Sequence, residues 1–187
     1  MSIRIIAALA AALATQGVFA AATDYKTELL QMGEADQAAM HRHGADKAAQ
    51  AAVIEANTAR LKQIVKDYGW PRLSIVGEEA SQSAWLIVQH ADNDPAWQRE
   101  ALALMEAMLA TGDVIPANVA YLRDRVLRGG NQPQLYGTQG RCIGSKLWES
   151  FPILEPARVD ERRAAMKMPP LRDYVAKASN QCKVLPP

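Results

Sequence analysis

The stretch PQLYGTQGRCIGSKLWESFPIL, Pro133 to Leu154, decides the fold by breaking the texture of the chain around it. It alternates weakly and is rich in glycine and aromatic residues, a pattern that suits two short strands joined by a loop. Its first part, Pro133 to Gln139, reads as a strand with Gln134, Tyr136 and Thr138 on one side and Leu135 and Gly137 on the other. Everything before and after it is Ala-rich and spaced for helices. The fold class expected is therefore mainly α, a single domain of about six helices with a small β-hairpin near residues 133–154.

Working outward, five helices are expected before this stretch. Leu29, Leu30, Met32 and Ala39 recur at helical spacing between Asp24 and Met40. A second helix runs from about Asp46 to Tyr68 on the stripe Val53, Ile54, Leu61, Ile64 and Val65, and Gly69-Trp70-Pro71 stops it. The third, about Gly77 to Ala91, holds Ala84-Trp85-Leu86-Ile87-Val88, five apolar residues with no wet face, and reads as the buried central helix. Asp94 followed by Pro95 is an N-cap with proline at the first helical position, starting the fourth helix, which Thr111-Gly112-Asp113 ends. A fifth spans about Pro116 to Arg128 on Val119, Leu122 and Val126. After the hairpin a last helix is expected over about Val159 to Ala178, interrupted or kinked at Pro169-Pro170.

The N-terminus speaks to destination. MSIRIIAALAAALATQGVFAAATDY has one cation, Arg4, an apolar run from Ile5 to Ala14, and small residues around Ala20 and Ala22. That is the pattern of a secretory signal peptide over residues 1–22, cleaved after Ala20 or Ala22, with residues 23–187 as the mature chain. The run is too short to span a hydrocarbon core of about 30 Å comfortably. A periplasmic or secreted protein is expected, with no stable membrane insertion once the leader is cut. The 21 basic and 20 acidic side chains nearly cancel, so no nucleic-acid track is expected. In an oxidising compartment the only two cysteines, Cys142 and Cys182, read most simply as one disulfide. The competing reading makes Cys142 a catalytic thiol with His90 as its base.

Most catalytic signatures are absent: there is no GxSxG elbow, no SxxK, no Walker A and no HExxH. His41 and His43 are two apart, which on a helix turns them to nearly opposite sides and makes a poor metal pair. No cofactor and no metal are expected. The polar residues that stand out are Gln89, His90 and Asp92 at the end of the buried helix, Tyr121, Asp124 and Arg125 in AYLRDRV, and Gln134, Tyr136, Thr138 and Gln139 in the opening stretch. Amides, hydroxyls and charges without a strong nucleophile suit recognition.

These pieces together resemble an uncharacterised bacterial family. Gly69-Trp70-Pro71, Ala84 to Asp92 (AWLIVQHAD), Tyr121-Leu122-x-Asp124-Arg125-Val126, Gln134-x-Tyr136-Gly137-Thr138-Gln139 and Val159-Asp160-x-Arg162-Arg163 match its GWP, QHAD, TDRV-like and YGTQ motifs and its ending. The resemblance runs from roughly Leu29 to Tyr174. It implies that QHAD, DRV, YGTQ and VDxRR belong to one constellation, and it supplies no activity. The segment Arg141 to Trp148, with Cys142, departs from the pattern, which favours a disulfide over a nucleophile.

Three functions follow as expectations. In the first, a pocket between the QHAD helix and the YGTQ strand binds a small polar ligand or peptide through Gln89, Asp92, Tyr121, Arg125, Gln134, Tyr136, Thr138 and Gln139, or meets an envelope protein. In the second, a hydrolase or lyase uses His90 as acid or base with Asp124 as its orienter. In the third, the motifs are structural locks.

Overall fold

A computed structural model describes residues 25–41 and 47–183; the signal peptide expected over residues 1–22 lies outside the described residues. Eight α-helices and one two-stranded antiparallel sheet are present among them. The chain divides into two compact units, one ending at His90 and the other beginning at Ala91.

The first unit contains α1 (25–41), α2 (Lys47–Tyr68), the single turn α3 (Leu73–Val76) and α4 (Glu78–His90). Its core is Leu29, Leu61, Ile64, Val76, Ala80, Ala84, Ile87 and Val88, all buried. The stripes expected of these helices therefore face inward, and α4 is buried along most of its length. Gly33 on α1 lies so close to α4 that a Cβ there would come within 2.4 Å of Ser83 Oγ. Asn57 on α2 donates to the Met32 carbonyl at 3.0 Å, satisfying a buried amide. Gly69 ends α2 with φ +77°, donating to the Val65 carbonyl at 2.9 Å, as its place after the last helical residue predicts.

The second unit contains α5 (Pro95–Ala107), a 3₁₀ turn (Leu109–Thr111), α6 (Pro116–Gly129), β1 (Gly140–Gly144), β2 (Leu147–Ser150), a second 3₁₀ turn (Pro156–Arg158), α7 (Val159–Ala165) and α8 (Leu171–Gln181). Asp94 caps α5, its Oδ1 accepting from the Trp97 amide at 3.0 Å. Helix α5 packs on α6, burying Trp97, Ala101, Leu102, Met105, Val119, Ala120 and Leu122. Pro169 and Pro170 interrupt the last helical region as expected, and leave the separate helices α7 and α8.

The hairpin pairs Gly140 with Ser150, Arg141 with Glu149 and Cys142 with Trp148, then shifts register before Gly144 meets Leu147. Gly140 is obligatory, because a Cβ would fall 2.2 Å from the Trp148 ring. Cys142 and Cys182 form a disulfide, with Cα atoms 5.5 Å apart. The Lys146 amide donates to the Cys182 carbonyl at 2.9 Å and the Trp148 amide to Ser179 Oγ at 3.2 Å, so α8 is fastened to β2.

One expectation fails. The stretch from Gln134 to Thr138 is a loop, not a strand; only Gln134 makes an isolated bridge, parallel to Ile153. Gly137 at φ +71° turns the chain, and a buried carboxylate dictates the rest.

Candidate functional site

Asp124 on α6 is fully buried. Its Oδ1 accepts from the amides of Leu135 (2.7 Å) and Tyr136 (3.1 Å), and its Oδ2 from the Thr138 amide and Thr138 Oγ1, both at 2.9 Å. A chain that turns three of its amides onto one anion cannot also follow a strand's alternation. Burial pushes the Asp124 carboxyl above its usual range, against the pull of these donors.

The same loop turns its carbonyls to cations. Arg163, fully buried, donates to the Tyr136 carbonyl at 2.6 Å and the Pro169 carbonyl at 2.7 Å. Arg162 donates to the Leu135 carbonyl at 2.8 Å. Asp160 accepts from the Leu171 amide at 2.7 Å, aligning α8 with α7. The Arg163 guanidinium also stands 5.1 Å from the centre of the Tyr174 ring, and the Tyr174 hydroxyl donates to the Thr138 carbonyl at 2.9 Å. Gln134 donates to the carbonyls of Gln139 and Phe151 and accepts from the Gln139 amide, all at 2.8 Å. Thus DRV, YGTQ and VDxRR do meet, as an internal lock in which amides face the anion and carbonyls face the arginines.

That lock uses up several residues expected to bind a ligand. Gln134 and Thr138 are buried and occupied by the loop itself. Tyr121 packs edge-on to Tyr174 at 5.9 Å between ring centres. Asp124 holds backbone rather than an imidazole. The carboxylate that holds His90 is Asp36 on α1, whose Oδ2 lies 2.6 Å from His90 Nδ1. Asp36 is buried and its Oδ1 has no hydrogen-bond partner among the described residues. Gln89, also in the first unit, is buried, its Oε1 without a partner among the described residues. His41 is exposed; His43 lies outside the described residues.

The second unit also holds an open cleft of about 370 Å³. The turn before α5 contributes Asp92, and α5 contributes Pro95, Gln98 and Arg99. Helix α6 adds Arg125 and Arg128, one turn apart on one face, and the lock supplies Gln139 and Phe151. Arg125 Nη1 donates to both oxygens of Asp92, at 2.7 and 2.8 Å. The Arg128 guanidinium stacks on Phe151 with its carbon 3.9 Å from the ring centre. Nε of both arginines is buried without a hydrogen-bond partner among the described residues. Gln139 reaches the lock directly, its Nε2 donating to Thr138 Oγ1 at 3.2 Å. So Asp124 fixes a wall of the cleft that its neighbour Arg125 enters.

Of the expected ligand residues, Asp92, Arg125 and Gln139 come together here. Sequence reasoning missed Gln98, Arg99, Arg128 and Phe151; the three-residue spacing of Arg125 and Arg128 was the available signal. No group of three or more His, Cys, Asp or Glu side chains suited to a metal ion occurs among the described residues.

Fold and site define a disulfide-linked, mainly helical protein with an arginine-lined cleft beside an internal anion lock. The chain belongs to a family of unknown function, DUF6624, whose model matches residues 23–183. Comparison with curated proteins and with solved structures finds no match.

Proposed function

We propose that the protein binds a small anionic ligand in this cleft, without turnover, after export to the periplasm or beyond. One observation carries the reading: three guanidinium groups and two carboxamides line a single cleft whose size suits a small molecule. Two of those guanidinium groups also keep a buried Nε without a partner among the described residues. Half-buried guanidinium groups at a cleft favour an anion, because ligand oxygens can pair with the N–H donors they present to it. The Phe151 ring under Arg128 supplies an apolar wall and fixes the guanidinium plane.

The test is thermal stabilisation of the full chain at low ionic strength by acetate, succinate, glutarate, phosphate and sulfate. A ligand at about 100 times its Kd adds about 2.7 kcal/mol to stability. Wild type should be stabilised by at least one of these anions. A doubly substituted Arg125→Gln, Arg128→Gln chain should lose the effect. Equal stabilisation of both chains, or none of either, would end the proposal. Export is supported by the leader-like N-terminus and the disulfide. It predicts a mature N-terminus after Ala20 or Ala22 in an extracytoplasmic fraction; an uncut cytoplasmic chain would refute it.

A second reading has its own observation, the 2.6 Å contact of His90 with Asp36. A carboxylate on Nδ1 fixes the tautomer and turns Nε2 into the proton acceptor, as a hydrolase or lyase needs. Metabolite profiling of a stably folded His90→Ala strain separates the readings. Accumulation of a substrate supports catalysis, and an unchanged profile removes it.

A further inference from the structure

The cleft holds a carboxylate of the chain itself. Asp92 sits on Arg125 Nη1 through both oxygens and receives a further hydrogen bond from Gln98 Nε2 at 3.2 Å. Its side chain is 66% exposed, against 27% for Arg125. The pair is therefore a wet anion on a fixed, partly buried cation. Water competes for Asp92, so Arg125 holds it only as firmly as a surface ion pair is held. Whatever displaces it meets donors already arranged for a carboxylate.

The next cation is Arg128, one helical turn along the same face of α6. Its plane is set by Phe151, and it has no carboxylate within ion-pair distance among the described residues. Cβ atoms three residues apart on a helix are about 5–6 Å apart. That is close to the span between the two carboxyl groups of a short aliphatic chain. Planar guanidinium groups match planar carboxylates through paired N–H donors. With Arg99, Arg125 and Arg128 set against Asp92, the cleft is net positive, and more so once Asp92 is displaced, which favours a dianion over a monoanion.

From this geometry we infer that the ligand is a short aliphatic dicarboxylate and that Asp92 is its built-in competitor. This inference rests on the cleft being a binding site. One ligand carboxylate replaces Asp92 on Arg125 and Gln98, and the other meets Arg128. Asp92 swings into solvent, so the free protein keeps its cation satisfied and weak monocarboxylates are turned away.

The experiment is calorimetric titration of the full chain, wild type and Asp92→Asn, with succinate, glutarate, acetate and phosphate. Removing a competitor held like an exposed ion pair should tighten dicarboxylate binding roughly two- to six-fold. Acetate should stay weaker than either dicarboxylate in both chains. Asp92→Ala, which cannot donate to a ligand, should tighten binding in the same direction and guards against an effect peculiar to asparagine. Unchanged or weaker dicarboxylate binding in both variants overturns the competitor role while leaving the cleft a binding site. Tighter binding of phosphate than of dicarboxylates overturns the ligand class and again leaves the cleft intact. If no anion binds any of the three chains, the anion-binding reading falls with it.

Discussion

Replacing Asp124 with asparagine should be among the most damaging single changes in the second unit. The substitution preserves shape but turns one acceptor oxygen into an NH₂ group facing backbone N–H donors. Four donors converge on the native carboxylate: the amides of Leu135, Tyr136 and Thr138, and the Thr138 hydroxyl. Each bond to a charged acceptor contributes about 1.5–3 kcal/mol, and each buried donor left unmet costs about 1–3 kcal/mol. These terms do not add, because Leu135 and Tyr136 are half-buried and water can reach part of a loosened loop. Removing one partner from a buried charged network costs about 3–5 kcal/mol, and that is the loss expected here. It is a large share of the roughly 5–15 kcal/mol that holds a typical domain folded. Urea unfolding followed by tryptophan fluorescence would measure the loss, and hydrogen exchange would locate it. The amides of residues 135, 136 and 138 should be protected in wild type and exchange freely in the variant. A loss below about 1 kcal/mol with protection retained would refute the claim that this carboxylate organises the loop.

Three further outcomes are expected. Replacing both cysteines with serine should remove up to about 4 kcal/mol, seen as a lower unfolding midpoint that reductant no longer affects, since the bridge closes a loop 40 residues long. Gly137→Ala should cost about 1–3 kcal/mol by thermal unfolding, because its φ is +71° and a new Cβ would lie 2.8 Å from Leu171 and 2.9 Å from Ile153. Burial holds the Tyr174 phenol well above its ordinary value. A raised folded value gives stability that is whole below the unfolded value of about 10 and is lost as pH rises toward the folded one. Unfolding midpoints should therefore fall above about pH 10, by at most about 1.4 kcal/mol per pH unit from this group, and Tyr174→Phe should flatten the slope.

The parts of the fold that local rules govern were legible. AWLIVQHAD announces a buried helix because five successive apolar residues leave it no solvent face, and Asp94-Pro95 announces a start through capping chemistry alone. The PQLYGTQ loop was not legible as a loop. Its alternation of polar and apolar residues mimics a strand. What overrides that pattern is a carboxylate 11 to 14 residues earlier, whose burial no local periodicity reveals. Asp36 was missed for a related reason: it sits among polar neighbours, and only tertiary packing buries it against His90. In VDERR nothing local separates Arg163 from Arg162, yet carbonyls and the Tyr174 ring enclose Arg163. The short turn Leu73–Val76 gave no signal because four residues are too few to show a period. For the site, the residue types were legible but their division of labour was not. Asp124 and Arg125 are adjacent in sequence, and a helix sends one to the lock and the other to the cleft.

The Cys142–Cys182 bridge encloses β2, α7, α8 and both arginines of the lock within one covalent ring. A protease that cuts the backbone once inside that ring therefore produces a nicked molecule rather than two fragments. The arginines and the loop they grip stay tethered to each other. Such a nick would show on a gel only after reduction. In a compartment that contains proteases, the bridge lets the second unit survive a first cut that would otherwise take its C-terminal helix away.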